Sequence, residues 1–321
     1  MSNITWTLEF IDPCPAAGRP ALVAFAGKVF AIFEAPSGGQ LRFMTRGVGD
    51  YKWSSPQDIP ASGGFAHVSS GVPGVAVFSV DGVPTLFCVH EGAGDDGKLM
   101  VFTTTDGVNW SRPGSVFWIP FSHSNGTTGS PELVVFQNQL YLFHEGQGDS
   151  GWISMSRTSD GKIWSNDVLI PNSDNAFGCS GAPTAVEFAG KLYLIRQGRK
   201  NSGWMWCASF DGTSWSADAL LPNDDNAFGL SDRPAAVVFN DRLQLFHAGR
   251  DDVGSMWHTS FDGSNWDPDA NLTFTIPNGG GQGATRAVDG ISAAVLNGTL
   301  HGMFLGAIGN SQLGYFQGSL G

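Results

Sequence analysis

The sequence is poor in cysteine and in charge. Its four cysteines, Cys14, Cys88, Cys179 and Cys207, form no C-x-x-C pair. We therefore expect free thiols rather than a disulfide framework or a thiolate metal site. Charged residues make up 14% of the chain, and 29 acids against 17 Lys and Arg residues give a net charge of −12. Nucleic-acid binding is not expected, since it depends on basic side chains that neutralise phosphates.

Long apolar runs are also lacking, and no leader segment is expected. No stretch approaches the ~18 apolar residues needed to cross a bilayer, so membrane insertion is not expected. Residues 1–6 contain no basic region ahead of an apolar core, which predicts that the chain has no signal peptide. These features favour a cytoplasmic protein, or one released without a signal peptide.

The chain is rich in glycine, with 44 residues, and it contains a recurring tryptophan. The pattern Asp-Gly-x-x-Trp appears four times, at residues 106–110, 160–164, 211–215 and 262–266. An interval of roughly 50 residues indicates a repeat architecture, such as a solenoid or a propeller.

Each repeat unit has the pattern of four short strands joined by turns. In the unit at 233–277, three β-forming segments precede a last strand that begins at Trp266; they occupy residues 234–239, 243–247 and 256–261. Asp262-Gly263 predicts a type I′ turn between the third and fourth strands, because both central residues of that turn need a positive φ. Turn-forming pairs such as Asn240-Asp241 separate the first and second strands.

The same order of strands recurs six times within a single domain, 1–321. The predicted blades occupy residues 19–60, 72–120, 130–171, 182–222, 233–277 and 290–321, the last together with 1–13. The last unit stops before its tryptophan strand, and the N-terminal segment around Trp6 supplies it. We therefore predict an all-β fold, a six-bladed β-propeller of four-stranded antiparallel blades, with the ring closed by the N-terminal strand.

The tryptophans fall into two groups. The six that keep the repeat are predicted to form the core between blades: Trp6, Trp53, Trp110, Trp164, Trp215 and Trp266. Four others stand at or near the start of third strands, beside polar loops: Trp152, Trp204, Trp206 and Trp257. Aromatic rings at loop mouths are stacking surfaces for the apolar face of a sugar. The alternative is that these rings fill wedges between blades. For Trp152 and Trp204 the two interpretations are equally favoured, and for Trp206 and Trp257 wedge filling is favoured over sugar stacking.

The ends of the second strands form another candidate binding site. In blades two to five they carry hydrogen-bonding groups suited to sugar hydroxyls: His90, Glu91, His144, Glu145, Arg196, Gln197 and His247. The first and sixth blades have Phe33-Glu34 and Leu305-Gly306 at this position. The alternative for the histidines is burial, with each ring satisfying backbone groups at the strand end. Arg233 is a further candidate, because it begins a first strand, as do Arg19 and Arg286, where a central channel would be lined.

The loops that enter the fourth and fifth blades are nearly identical and rich in Asn and Asp. They occupy residues 171–178 and 222–229. Turn formation explains this composition, and the loops lack the D-x-[DN]-x-[DN]-G pattern of a common calcium site. No metal and no cofactor are therefore expected, with calcium in these loops as the alternative.

The Asp-Gly-x-x-Trp hairpins resemble the Asp boxes of sialidases and related glycosidase propellers. That resemblance implies a propeller. Sialidase-like catalysis would need three converging arginines, a Tyr–Glu pair and an acidic Asp, yet only four tyrosines are present and no carboxylate pair stands out from the repeats. In length, number of units and ring closure the chain also resembles the six-bladed propeller lectins of fungi and bacteria. By that resemblance, sugars would bind between adjacent blades through Arg196, Glu91, Glu145, Trp152 and Trp204.

Three functions remain open at this point. The polar pattern is spread over several blades, which favours a non-catalytic, multivalent lectin that recognises glycans in clefts between or on top of the blades. A sialidase-like glycoside hydrolase and a protein-interaction propeller are the alternatives. The sequence leaves the sugar, the number of sites and the oligomeric state undetermined.

Overall fold

The computed structural model describes most of the chain. The described residues are 4–11, 16–61, 67–92, 94, 96–112, 119–120, 126–148, 150–170, 178–200, 202–221, 233–249, 255–274, 287–306 and 313–320. They form strands and turns and contain no helix. Accordingly, this part of the chain has no helix that is long and apolar enough to span a membrane.

Four of the blades are antiparallel sheets of four consecutive strands. The first blade contains β2 (Ala21–Phe25), β3 (Lys28–Glu34), β4 (Leu41–Gly47) and β5 (Gln57–Asp58). The third contains β9 (Thr127–Phe136), β10 (Gln139–Gly146), β11 (Ile153–Thr158) and β12 (Val168–Leu169). The fourth contains β13 (Thr184–Phe188), β14 (Lys191–Gln197), β15 (Met205–Phe210) and β16 (Ala219–Leu220). The fifth contains β17 (Ala235–Phe239), β18 (Arg242–Ala248), β19 (Met256–Phe261) and β20 (Ala270–Asn271).

The second and sixth blades differ from this scheme. The second shows three described strands, β6 (Gly74–Val80), β7 (Val83–Glu91) and β8 (Leu99–Thr104), and residues 113–118, where a fourth was expected, lie outside the described part. The sixth combines the two ends of the chain: β21 (Ala287–Leu296), β22 (Thr299–Gly306), β23 (Leu313–Leu320) and β1 (Ile4–Ile11). Strand β1 pairs with β23 from Ile4 opposite Leu320 to Ile11 opposite Leu313. The predicted closure by the N-terminal strand is therefore confirmed.

The innermost strands arrange the six sheets in a closed ring. Each of β2, β6, β9, β13, β17 and β21 contacts the next, and β21 contacts β2. A hydrophobic cluster lies at each of the six interfaces, built from residues of both neighbouring blades. The chain therefore forms a six-bladed β-propeller, as predicted.

Each interface cluster includes one of the six repeat tryptophans, which confirms their predicted role as inter-blade core. Trp110 and Trp164 are buried, at 7% and 9% exposure. The other four remain partly exposed: Trp6, Trp53, Trp215 and Trp266. Partial exposure means that these indoles also contribute to the surface between blades.

The hairpins correct one expectation. The type I′ turn predicted at Asp262-Gly263 is wrong, because only Gly263 has a positive φ there. The Asp262 carboxylate instead accepts hydrogen bonds from the backbone N–H groups of Ser264 (2.8 Å) and Asn265 (2.7 Å). Paired positive φ values occur at the first hairpin of every blade, for example at Asn240 (53°) and Asp241 (55°). The right-handed twist of long inner strands favours the type I′ geometry at that hairpin.

Candidate functional site

The second strand of every blade places one residue at a fully enclosed position near its end. In each blade, this residue pairs with the second residue of the third strand, so the six residues are equivalent. They are Phe33, His90, His144, Arg196, His247 and Phe304. Each of these side chains is 0% exposed. The sixth-blade residue is therefore Phe304, one position before the predicted Leu305. Aromatic core residues in two blades replace the hydrogen-bonding residues of the other four.

Two of these enclosed residues pair with an aspartate that directly precedes the outermost strand of the blade, and a third is influenced by the charge of the equivalent aspartate. His247 Nε2 lies 2.9 Å from Asp269 Oδ2, and Arg196 forms an ion pair with the Asp218 carboxylate. His144 is enclosed in the same way, and the charge of the fully buried Asp167 acts on it. The His247–Asp269 and Arg196–Asp218 pairs tie the second strand to the outer edge of the blade, since a buried charge needs a partner of opposite charge.

The histidines also satisfy backbone groups at the strand end, which confirms the alternative reading of these residues. His90 Nδ1 donates to the carbonyl oxygen of Glu91 (2.8 Å). His144 Nδ1 and His247 Nδ1 donate in the same way to the carbonyl oxygens of Glu145 and Ala248. Burial lowers the pKa of His90 and of His144 to about 4. The rings of His90 and His144 are therefore neutral near neutral pH and present no polar atom to solvent.

In the second blade, a second histidine takes up the space beside the enclosed ring. His67 is 3% exposed, stacks on Phe102 with ring centroids 4.1 Å apart, and meets the His90 ring edge-on at 5.9 Å. Burial, together with the charge of Arg112, lowers the pKa of His67 to about 4. In the described part of the chain, His90 Nε2 has no hydrogen-bond partner.

The predicted glutamates bind backbone amides of loops. Glu91 accepts hydrogen bonds from Gly97 N (3.2 Å) in its own blade and from Gly129 N (2.9 Å) at the entrance to the third blade. Glu145 accepts one from Gly151 N (2.7 Å). Both residues are buried, as is Gln197 at 5% exposure. These carboxylates therefore tie the loops on one face of the ring to the ends of the second strands.

The four predicted stacking tryptophans are all half-buried on that face. The Arg199 guanidinium covers one side of the Trp152 ring, 4.7 Å from its centroid, and Arg199 Nη2 donates to Ser150 O (3.0 Å). Arg199 thereby joins the fourth blade to the third. Trp152 keeps partial exposure, but this side of its ring is already in contact with a cation.

Trp206 and Trp257 occupy equivalent positions opposite Arg196 and His247. A Cβ atom added at Gly198 would lie 3.0 Å from Trp206 Nε1, and the corresponding distance from Gly249 to Trp257 Nε1 is 2.9 Å. Glycine at these points allows the indoles to lie against the strand ends. This packing fits the wedge-filling alternative. Trp204, two residues before Trp206, is partly exposed.

The innermost strands of all six blades surround a central channel with a cavity of about 140 Å³. Arg233, 9% exposed, forms an ion pair with Glu132, and Glu132 Oε1 also accepts hydrogen bonds from Thr184 Oγ1 (3.2 Å) and Ala185 N (2.9 Å). Arg19 donates to the carbonyl oxygen of Ile291. Arg233 therefore connects the fifth blade to the third, and Arg19 connects the first blade to the neighbouring sixth blade. Arg286, the third predicted channel arginine, lies outside the described residues.

A larger opening lies on the outside of the ring, between the third and fourth blades. This third–fourth cleft has a volume of about 390 Å³. The partly exposed Trp215 lines it together with Arg157, Ser165 and Asn166. Hydrophobic side chains complete its wall: Met155, Val168, Leu169, Ile170 and Phe210. The cleft thus combines an aromatic ring and an apolar floor with four polar side chains, the fourth being that of Thr213.

The equivalent fifth–sixth cleft is smaller, at about 100 Å³. Trp6 takes the place of Trp215, and His258, Ser260 and Asp267 supply its polar side chains. The His258 ring meets Trp6 edge-on, with centroids 5.3 Å apart. Two interfaces of the ring therefore offer the same kind of aromatic-lined cleft at the same place.

Sequence reasoning missed both clefts, because it assigned the repeat tryptophans to the core alone. A signal was present at Arg157. By strand register, the other five blades have Thr45, Thr103, Ser209, Ser260 and Gln317 at this position. One charged residue among five uncharged ones breaks the symmetry of the repeat.

The described residues hold no group of three His, Cys, Asp or Glu side chains that could bind a metal ion. Residues 171–177 and 222–230, which include almost all of the two Asn/Asp-rich loops, lie outside the described part, so calcium binding there stays a hypothesis. Cys88, Cys179 and Cys207 are free thiols, as expected, and burial raises the pKa of each.

Comparison with known proteins confirms the fold. No protein family model and no curated protein matches the sequence. An Aleuria aurantia lectin mutant in complex with α-methyl-L-fucoside is similar over 95% of this chain and 93% of its own, with a TM-score of 0.63 and 14% identity. A Dyadobacter fermentans protein of unknown function matches over the full length of both chains, with a TM-score of 0.69 and 13% identity.

Trypanosoma rangeli sialidase in complex with the inhibitor DANA has a TM-score of 0.64 and 14% identity. The alignment covers 95% of this chain and 55% of the sialidase chain, so the present chain spans about half of that enzyme's length. At identities this low, the structural similarity establishes a shared six-bladed propeller fold and no more. A fold by itself does not define a function.

Proposed function

We propose that the chain is a carbohydrate-binding protein, a propeller lectin that holds a sugar in the third–fourth cleft. The observation that carries this proposal is the partly exposed Trp215 indole in a cleft with Arg157, Ser165 and Asn166. A sugar ring has an apolar C–H face and a rim of hydroxyl groups. It is recognised by an aromatic surface bordered by a few polar groups.

The size of the cleft agrees with this role. Its volume of about 390 Å³ lies in the range of small-molecule sites, which is roughly 300–1,000 Å³. Support at the level of the fold comes from a lectin in complex with a fucoside and from a sialidase, both of which share this propeller architecture.

The described cleft residues favour binding over hydrolysis. A glycoside hydrolase generally uses two carboxyl groups that flank the scissile bond. The described residues that line the third–fourth cleft include no Asp or Glu. In the described lining of the central channel, Glu132 supplies a carboxylate, and it is already paired with Arg233.

Several sites on one ring would make binding multivalent. The fifth–sixth cleft offers a second, smaller site around Trp6, and Trp152 and Trp204 remain candidates at the other end of the third strands. A few weak sites on one rigid body gain roughly 10²–10⁴ in avidity towards a multivalent glycan surface.

A matched pair of variants tests the proposed site. Trp215 stacks on Phe210 with centroids 5.1 Å apart, and Trp266 stacks on Phe261 in the same way at 4.9 Å. The substitutions Trp215→Leu and Trp266→Leu therefore remove equivalent packing at neighbouring interfaces. We expect both to lower the unfolding temperature by similar amounts.

Labelled protein is then applied to a glycan array, and the affinity for each bound glycan is measured by calorimetry. We expect Trp215→Leu, but not Trp266→Leu, to lose the binding that belongs to the third–fourth cleft. Equal losses in the two variants would indicate a general effect of destabilisation. A wild-type protein that binds no glycan would overturn the proposal and favour the protein-interaction alternative.

A further inference from the structure

Arg157 is the charged exception at a position that is otherwise uncharged in the ring. It lies on β11, directly opposite Tyr141, and its counterparts Ser209 and Ser260 lie opposite Tyr193 and Gln244. The backbone there is held in the same way in the third and fourth blades. Arg157 N donates to Ser165 Oγ (3.0 Å), and Ser209 N donates to Ser216 Oγ (2.9 Å). The strand is therefore unchanged, and the difference lies in the side chain.

The Arg157 guanidinium makes no hydrogen bond or ion pair with another described residue, and the residue is exposed. Five other arginines each pair with a carboxylate: Arg42, Arg46, Arg196, Arg233 and Arg242. In a chain with a net charge of −12, a guanidinium that faces a cleft without a neighbouring acid is available to a ligand. Its planar fork binds carboxylates through two parallel hydrogen bonds.

The two outer clefts differ in charge. The third–fourth cleft contains Arg157 and Ser165, whereas the equivalent positions of the fifth–sixth cleft hold Ser260 and Asp267. Asp267 is itself paired with Arg242, with Arg242 Nη2 2.9 Å from Asp267 Oδ2. The third–fourth cleft is thus cationic beside its aromatic ring.

We propose that the third–fourth cleft selects a sugar that carries a carboxylate. Arg157 binds the carboxylate, and Trp215 contacts the apolar face of the sugar ring. The proposal rests on the proposed carbohydrate-binding function and specifies the class of sugar for that site. Charge complementarity supports it, because the described lining offers a cation and no acid to repel an anionic ligand.

The test compares acidic sugars with neutral sugars of the same shape. The probes are methyl glucuronide, methyl galacturonide and sialic acid, each beside a neutral counterpart in which the carboxylate is replaced by an amide or a hydroxymethyl group. Binding is measured by calorimetry at low and high salt. We expect the best acidic sugar to bind about tenfold or more tightly than its neutral counterpart, with a preference that weakens at high salt.

Two arginine variants identify the group responsible. Arg157→Gln is expected to lower the affinity for the acidic sugar much more than the affinity for its neutral counterpart, which removes the preference for the acid; the unfolding temperature is expected to stay the same, because Arg157 is exposed. Arg42→Gln is the control, since Arg42 is an arginine on the equivalent strand of the first blade, paired with Asp58. It is expected to retain the preference.

The outcomes separate this inference from the proposed function. Equal affinity for acidic and neutral sugars, or an Arg157→Gln variant that keeps the preference, overturns the inference. If neutral sugars bind and Trp215→Leu abolishes that binding, the proposed carbohydrate-binding function stands without the inference that the cleft selects acidic sugars. If no sugar binds in this panel or on the array, both fail.

Discussion

His247 and Asp269 face each other inside the fifth blade, with Nε2 2.9 Å from Oδ2 and side-chain exposures of 0% and 1%. The contact crosses the third strand of the blade, because His247 lies on β18 and Asp269 immediately precedes β20. Arg196 and Asp218 repeat the arrangement in the fourth blade. An outermost strand of two residues has few ladder hydrogen bonds of its own, so the buried pair is a main link between it and the blade.

Removing one member of such a pair is expected to be costly. Asp218→Ala leaves the Arg196 guanidinium buried without its carboxylate, which we expect to lower the free energy of unfolding by about 3–5 kcal/mol. The measurement is urea denaturation followed by tryptophan fluorescence. The double variant Arg196→Met with Asp218→Ala is expected to recover much of the loss, since the first blade has Phe33 and Pro56 at these positions. A double variant no more stable than Asp218→Ala would contradict this account.

Stability should fall in mild acid. Burial lowers the pKa of five histidines to about 4: His67, His90, His144, His258 and His301. Between their ordinary pKa near 6.5 and about 4, the unfolded chain binds protons that the folded chain does not. The free energy of unfolding is therefore highest above pH 7 and decreases as the pH falls through that window.

Unfolding temperatures measured from pH 8 to pH 4 test this dependence. His90→Phe, which introduces the residue found at the same position in two other blades, is expected to reduce the acid sensitivity. Unchanged sensitivity in this variant would show that His90 does not contribute to it.

The Glu91 carboxylate should stabilise the junction between the second and third blades. Glu91→Ala removes the acceptor for Gly97 N and Gly129 N, and we expect a loss of about 1–3 kcal/mol because two donors are left without partners. Glu187→Ala, at an exposed position of β13, is the control, with an expected change within about 0.5 kcal/mol. Hydrogen exchange should show faster exchange at Gly97 and Gly129 in Glu91→Ala alone. Equal stability of the two variants would argue against this role for Glu91.

Glycan binding should not require calcium. In the proposed site, the groups that would contact a sugar are Trp215, Arg157, Ser165 and Asn166, and none of these is a calcium-binding carboxylate. We expect array binding to be the same with EDTA and with added calcium. Binding that disappears in EDTA would instead assign a metal to the Asn/Asp-rich loops at 171–178 and 222–229.

The repeat made the fold predictable, because a regular interval of tryptophans and turns determines the number of blades and the strand that closes the ring. Local geometry was harder to predict. Asp262-Gly263 has the residues of a type I′ turn, but the aspartate carboxylate binds the backbone and changes the turn. In the sixth blade the predicted alignment was displaced by one residue, because β22 carries apolar residues on both sides of the true position, Phe304.

The candidate site was less accessible from sequence, because the relevant partners are far apart in the chain. Arg196 and Asp218 have typical surface residue types, and only the sheet brings them together in the interior. A repeated tryptophan is informative about packing, but the pattern does not show which copy remains partly exposed. Arg157 is the one charged residue at its position in the repeat. This could be recognised only after strand register had identified the equivalent residues of the other five blades.

The pairing of β1 with β23 has a consequence for synthesis of the chain. Strand β1 leaves the ribosome long before its partner, β23, has been made. Until then, Leu8 and Trp6 have no sheet against which to pack, and the interfaces on both sides of the sixth blade are incomplete. The ring can therefore close only after β23 has been synthesised, and its closure joins the two strands of the propeller that lie farthest apart in the chain.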